Sequence, residues 1–73
     1  MLQQKLTKDF DKRFRYWRKK RGLSKVAISK ACGVAESTIA SYEFGRYIPR
    51  LDTLEILLDA LEVDIGEFFA EEI

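Results

Sequence analysis

Three glycines, Gly22, Gly33 and Gly45, each close a stretch of apolar residues at helical spacing, and that punctuation leaves a chain of 73 residues room for little but short helices. Phe10, Phe14 and Trp17 recur at i, i+4 and i+7 and predict a helix from Thr7 or Lys8 to Arg21 that Gly22 ends. Lys19, Lys20 and Arg21 fill its last turn, where cations suit the helix dipole. Ser24 is a good N-cap for a second helix with Ala27, Ile28 and Ala31 on its buried face, stopped by Gly33. A third, from Ala35 to about Phe44, buries Ile39 and Tyr42.

The remainder follows the same logic. Pro49 disfavours helix in the residue before it and tolerates a helix start after it, so residues 46–49 form a loop. Leu51, Leu54, Leu58 and Leu61, with Leu57 beside them, predict a fourth helix. Asp64 with Glu67 three residues on has the capping-box pattern for a fifth. Leu23 with Ile28, Val34 with Ile39 and Val63 with Phe68 repeat the spacing of a hydrophobic staple across a helix start. No strand pattern or internal repeat interrupts this. The expected architecture is an all-α bundle of five helices in one domain, residues 1–73, around Phe14, Trp17, Ile28, Ile39, Leu54, Leu58 and Phe68. Residues 1–7 are either an N-terminal arm or a frayed end.

Composition removes whole classes of chemistry. A single cysteine forms no internal disulfide, and a chain without histidine lacks the usual zinc-ligand sets and His-based triads. No nucleophile–base set stands out, so neither an enzyme, a cofactor nor a metal is expected. Cys32 reads as a small buried residue rather than a redox sensor. The apolar runs are too short for a membrane span, and the first ten residues lack a signal-peptide core; a soluble, unprocessed, cytoplasmic protein is expected.

The formal net charge of +1 hides a strong segregation. Residues 1–25 hold ten Lys and Arg against two Asp, net +8; residues 26–50 are +1; residues 51–73 hold eight Asp and Glu with no basic residue, net −8. Such a division points to a basic surface for a polyanion at one end of the chain.

The second and third helices, in LSKVAISKACGVAESTIASYE, are two short helices joined by a tight turn with a glycine in it, the spacing of a helix-turn-helix unit whose second helix enters the DNA major groove. The run from Phe10 to Phe69 resembles the phage Cro/repressor (Xre-like) type of helix-turn-helix domain. The resemblance rests on Gly22-Leu23-Ser24, Gly33-Val34-Ala35, Thr38-Ile39-Ala40, Glu43-Phe44-Gly45, Pro49 and the leucines from Leu51 to Leu61. It implies a sequence-specific regulator binding double-stranded DNA, expected to be a repressor that acts as a homodimer on a palindromic operator.

The resemblance also assigns roles. Ala35, Glu36, Ser37, Thr38 and Ser41 match positions that face base edges or nearby phosphates, and Arg18 with Glu43 matches a buried pair linking the first and third helices. Lys25 stands where the family often has Gln, Ala35 where Ser usually caps the third helix, at a cost of about 1 kcal/mol, and Arg50 where Ser usually caps the fourth. Because phosphates supply most of the affinity and bases most of the specificity, the recognition helix itself need carry no cation. Lys25, Arg46 and Arg50 flank it and are the phosphate candidates, with Ser24 and Tyr47 beside them and Arg15 and Lys19 as further basics. Glu36 either accepts from a cytosine amino group or stabilises the helix start.

The acidic end supports an alternative: Glu55, Asp59, Glu62, Glu67, Glu71 and Glu72 as a docking surface for a basic protein such as RNA polymerase or a toxin partner, in an antitoxin-like module. With no further domain after Ile73, the chain resembles a stand-alone regulator. Phe69, Ile73, Ile56 and Ile65 are the expected dimer seam.

Overall fold

In the computed structural model, which describes residues 9–70, the chain forms α1 (Phe10–Lys20), α2 (Lys25–Cys32), α3 (Glu36–Glu43), α4 (Leu51–Leu61) and α5 (Ile65–Phe68), with no strand among the described residues. The arm of residues 1–7 and Glu71, Glu72 and Ile73 lie outside the described residues; the helix expected to start at Thr7 or Lys8 begins at Phe10, because Asp9 before it takes the left-handed conformation at φ 64°.

Local chemistry sets the boundaries. Ser24 Oγ accepts from the Ala27 N–H at 3.0 Å and Asp64 Oδ1 from the Glu67 N–H at 2.8 Å, so two of the five helices start on side-chain caps. At the other ends, Gly33 at φ 72° and Gly45 at φ 76° occupy the left-handed region, which costs a residue with a Cβ roughly 1–2 kcal/mol. At Gly45 the chain reverses with Arg46 N–H donating to Ser41 O at 3.0 Å and Gly45 N–H to Tyr42 O at 3.2 Å, a Schellman closure. Glu62 closes α4 the same way at φ 55°, with Val63 N–H reaching Leu58 O at 3.2 Å; here a side chain bears the cost that glycine avoids.

The core contains all seven expected residues together with Phe10, Tyr42, Leu57, Leu61 and Val63. Phe10 and Phe14 of α1 stack at 6.0 Å, Tyr42 of α3 meets both edge-on at 6.4 Å, and Phe68 of α5 sits 5.5 Å from Phe10. These aromatic contacts fasten α3 and α5 to α1. One expectation fails: Ala31 is exposed, because α2 turns Ile28 and Cys32, at i and i+4, toward the core. The fourth helix starts at Leu51 as expected, but that first residue is 80% exposed and the buried stripe runs through Leu54, Leu57, Leu58 and Leu61.

The arginines of α1, with Arg21 at its C-cap, are the larger surprise. Arg13 Nη1 donates to Phe68 O at 3.2 Å and to Ala70 O, at the end of α5. Arg15 Nη1 donates to Glu43 O at 2.5 Å, the last carbonyl of α3. Arg21 Nε donates to Leu61 O at 2.7 Å and Nη2 to Glu62 O at 2.9 Å, at the end of α4. The last carbonyls of a helix have no partner within it and carry its negative dipole end, so a guanidinium fork satisfies both needs at once. One helix thus caps three others. Much of the N-terminal positive charge holds the fold together, and Arg15, expected among the phosphate contacts, is engaged in this way.

Candidate nucleic-acid interface

Helices α2 and α3 pack on each other across a turn at Gly33, and α3 also packs against α1. Ile39, Tyr42 and Glu43 of α3 face inward, which leaves Ser37, Ser41 and Phe44, at i, i+4 and i+7, along the middle of its outer face. Ala35, Glu36 and Ser37 are exposed and Thr38 and Ser41 half-buried. Ser41 Oγ donates to Ser37 O at 3.0 Å, which commits its proton and leaves its lone pairs free to accept, for instance from a base amino group. Ala35, at the N-cap position, has no side-chain cap. The first N–H groups of α3 therefore stay open to a phosphate oxygen.

The orientation of this face is fixed from behind. Arg18 Nε donates to Glu43 Oε2 at 2.5 Å and Nη2 to Glu43 Oε1 at 3.1 Å, while Nη1 reaches Leu23 O at 3.1 Å. Glu43 is only 4% exposed. The bidentate fork ties the carboxyl end of α3 to α1 and to the turn before α2, so the three elements move together.

Among the phosphate candidates, Lys25 and Arg46 come together and Arg50 does not. Lys25 Nζ lies 5.9 Å and Arg46 Cζ 5.7 Å from the ring centroid of Phe44, which is 69% exposed. An aromatic face attracts both cations and restricts where their long side chains dwell. Phe44 was not among the site residues the sequence singled out, although its phase signals exposure: it lies two residues past Tyr42, off the stripe of Ile39 and Tyr42. Arg50 instead pairs with Asp52 at 3.2 Å, with both side chains largely exposed. Ser24 spends its oxygen on the α2 cap, Tyr47 is 65% exposed, and Lys19 is exposed.

Cys32 lies apart from this face, half-buried, its Sγ donating to Ile56 O at 3.7 Å. Burial, and secondarily the charge of Asp59, pushes its thiol above the ordinary value of 9.0. Because the folded state disfavours the thiolate, the contribution to stability is complete below that ordinary value and is lost as pH climbs through the raised one. Iodoacetamide at pH 8 is expected to alkylate the folded chain more slowly than the urea-unfolded chain; equal rates would show an unprotected thiol. Among the described residues no group of three or more Cys, Asp and Glu is placed to hold a metal ion, and no helix is long and apolar enough to cross a membrane.

A family model described as helix-turn-helix matches residues 14–68, from the middle of α1 through the last residue of α5. No curated protein and no solved structure matches the chain.

Proposed function

The chain belongs to the Cro/C1-type helix-turn-helix family of DNA-binding transcription regulators, and from that premise we propose that it represses transcription as a dimer bound to a palindromic operator. Residues 1–73 act as one DNA-binding domain in the cytoplasm, with no catalytic step and no cofactor. The observation that carries the reading is the outer face of α3: an uncharged stripe of Ser37, Ser41 and Phe44, with Lys25 and Arg46 gathered at its carboxyl edge. In this arrangement α3 lies in the major groove, its first turn against base edges, while the flanking cations hold the phosphates on either side. The Arg18–Glu43 pair carries no base contact and serves to aim α3.

Two-fold pairing places the half-sites about 34 Å apart along the duplex. Of the expected seam residues, Ile56 and Ile65 are 46% and 56% exposed, whereas Phe69 packs against the core and is spent there. Selection of sites from random duplex DNA at two salt concentrations is expected to recover a palindrome bound more weakly at the higher salt. Sedimentation with and without the selected duplex then reads the stoichiometry. A single asymmetric half-site bound by one chain would overturn the dimer.

Glu36 is the one charge in the base-facing set, and it is exposed. A carboxylate there accepts from a cytosine amino group. Glu36→Gln is expected to relax the preference at one position of each half-site, with about 1–3 kcal/mol of discrimination lost. An unchanged base profile in the variant would reduce Glu36 to a helix-start charge.

A further inference from the structure

An open groove of about 580 Å³ runs between α4 and α5. Leu54, Leu58 and Val63 form its floor, and Leu51 and Ile65 stand at its lips, 80% and 56% exposed. Scattered exposed aliphatic residues need no explanation, but a leucine and an isoleucine lining one groove over an apolar floor make one continuous strip open to solvent. The rim is acidic: Asp52, Glu55, Asp59 and Asp64 line it, all exposed. No Lys or Arg occurs anywhere from residue 51 to 73. Of these four rim carboxylates only Asp52 has a cation among the described residues within 4 Å, Arg50 just before the helix.

This pattern works against the fold that carries it. Glu55 and Asp59 are like charges four residues apart on one helix, and Asp59 with Glu62 crowds the negative end of the α4 dipole. Solubility would be served as well by mixed charge. We infer that the α4–α5 groove docks a basic amphipathic helix of another protein, its apolar side chains on the Leu54, Leu58 and Val63 floor and its Lys and Arg against the carboxylate rim. Helix-in-groove recognition needs this combination of an apolar trough and a complementary charged border. A second copy is a poor occupant, because two-fold pairing through this face sets one acidic rim against the other. No residue of α3 lines the groove, so both surfaces can be occupied at once and the inference stands independently of DNA binding. Ile65, one of the expected seam residues, is thereby taken by the groove, and Ile56, which does not line it, is left for the dimer contact.

The test is selection of a random 16-residue peptide library displayed against the full chain, followed by fluorescence anisotropy of the recovered peptides. Expected are peptides with Lys or Arg flanking large aliphatic residues at helical spacing, whose affinity falls at least tenfold in the chain carrying E55K and D59K. That variant keeps its helical circular dichroism and its duplex binding, which separates loss of the groove from loss of the fold or of the DNA reading. No enrichment, enrichment of peptides without basic residues, or equal affinity for the variant overturns the proposal. So does a tenfold gain on deleting residues 1–7, which would make that segment, with its Lys5, the occupant. Self-association that the E55K and D59K pair abolishes would assign the groove to a second copy and overturn it too.

Discussion

Replacing Glu43 by Ala is expected to lower the melting temperature of this domain by roughly 12 °C or more. The change leaves Arg18 with its Nε and Nη2 unanswered in a site where its side chain is only 15% exposed. Breaking a buried pair from one side costs about 3–5 kcal/mol, and partial solvent access to Arg18 favours the lower end. In a domain of this size one kcal/mol moves the midpoint by about 4–8 °C. Glu43→Gln keeps the shape and one acceptor, and a smaller loss is expected. The informative variant is the double one, R18M with E43L, since two apolar side chains of similar volume leave no stranded charge. Stability should recover much of the way in that variant while the aim of α3 loosens. Thermal melts of the parent chain, the single variants R18M and E43L, and the double variant give the coupling directly. If the double variant loses as much as the sum of the two single ones, the pair is uncoupled and its assigned role fails.

The features legible in the sequence are those that one residue or its near neighbours decide. Gly33 and Gly45 stop their helices because the left-handed turn they adopt is a property of one residue, and Ser24 and Asp64 cap because their partners are three residues away. The helix-turn-helix was legible for the same reason, as spacing around Gly33. What sequence spacing could not supply was the partner of each arginine. Arg13 and Arg21 reach carbonyls 55 and 40 residues along the chain, so a count of charge per segment read them as a surface when they are struts. The exposure of Leu51 lay beyond spacing for a related reason: periodicity fixes phase but not where the neighbouring helices end, and the first residue of α4 stays 80% exposed. Glu62 at positive φ carried no warning at all, since the αL turn there is stabilised by the distant Arg21. For the candidate site, the roles of Ala35, Glu36, Ser37, Thr38 and Ser41 came from resemblance; their side-chain exposure is what the fold adds.

Removal of Lys25 and Arg46 together is expected to weaken duplex binding by about a hundredfold near 0.1 M salt, of the order of tenfold per cation. It should also flatten the slope of log affinity against log salt by about two, because each phosphate contact releases roughly one counterion. The loss should fall equally on operator and unrelated DNA, since phosphates carry no sequence. Phe44 makes the prediction sharper. Phe44→Ala keeps both cations but removes the ring that lies 5.9 Å from Lys25 and 5.7 Å from Arg46. The contacts can still form, at the cost of ordering two long side chains that the ring otherwise restrains. Affinity should therefore drop by several-fold with the salt slope unchanged, a split that loss of charge cannot produce. Lys20→Ala is the control: that lysine lies 5.7 Å from the rings of both Tyr16 and Trp17 on α1, and its removal should leave binding almost untouched. Should Phe44→Ala flatten the slope as the double variant does, the ring is needed to form the contacts at all. Should it change base preference at one position instead, the ring reads a thymine methyl directly and belongs to the base-facing set.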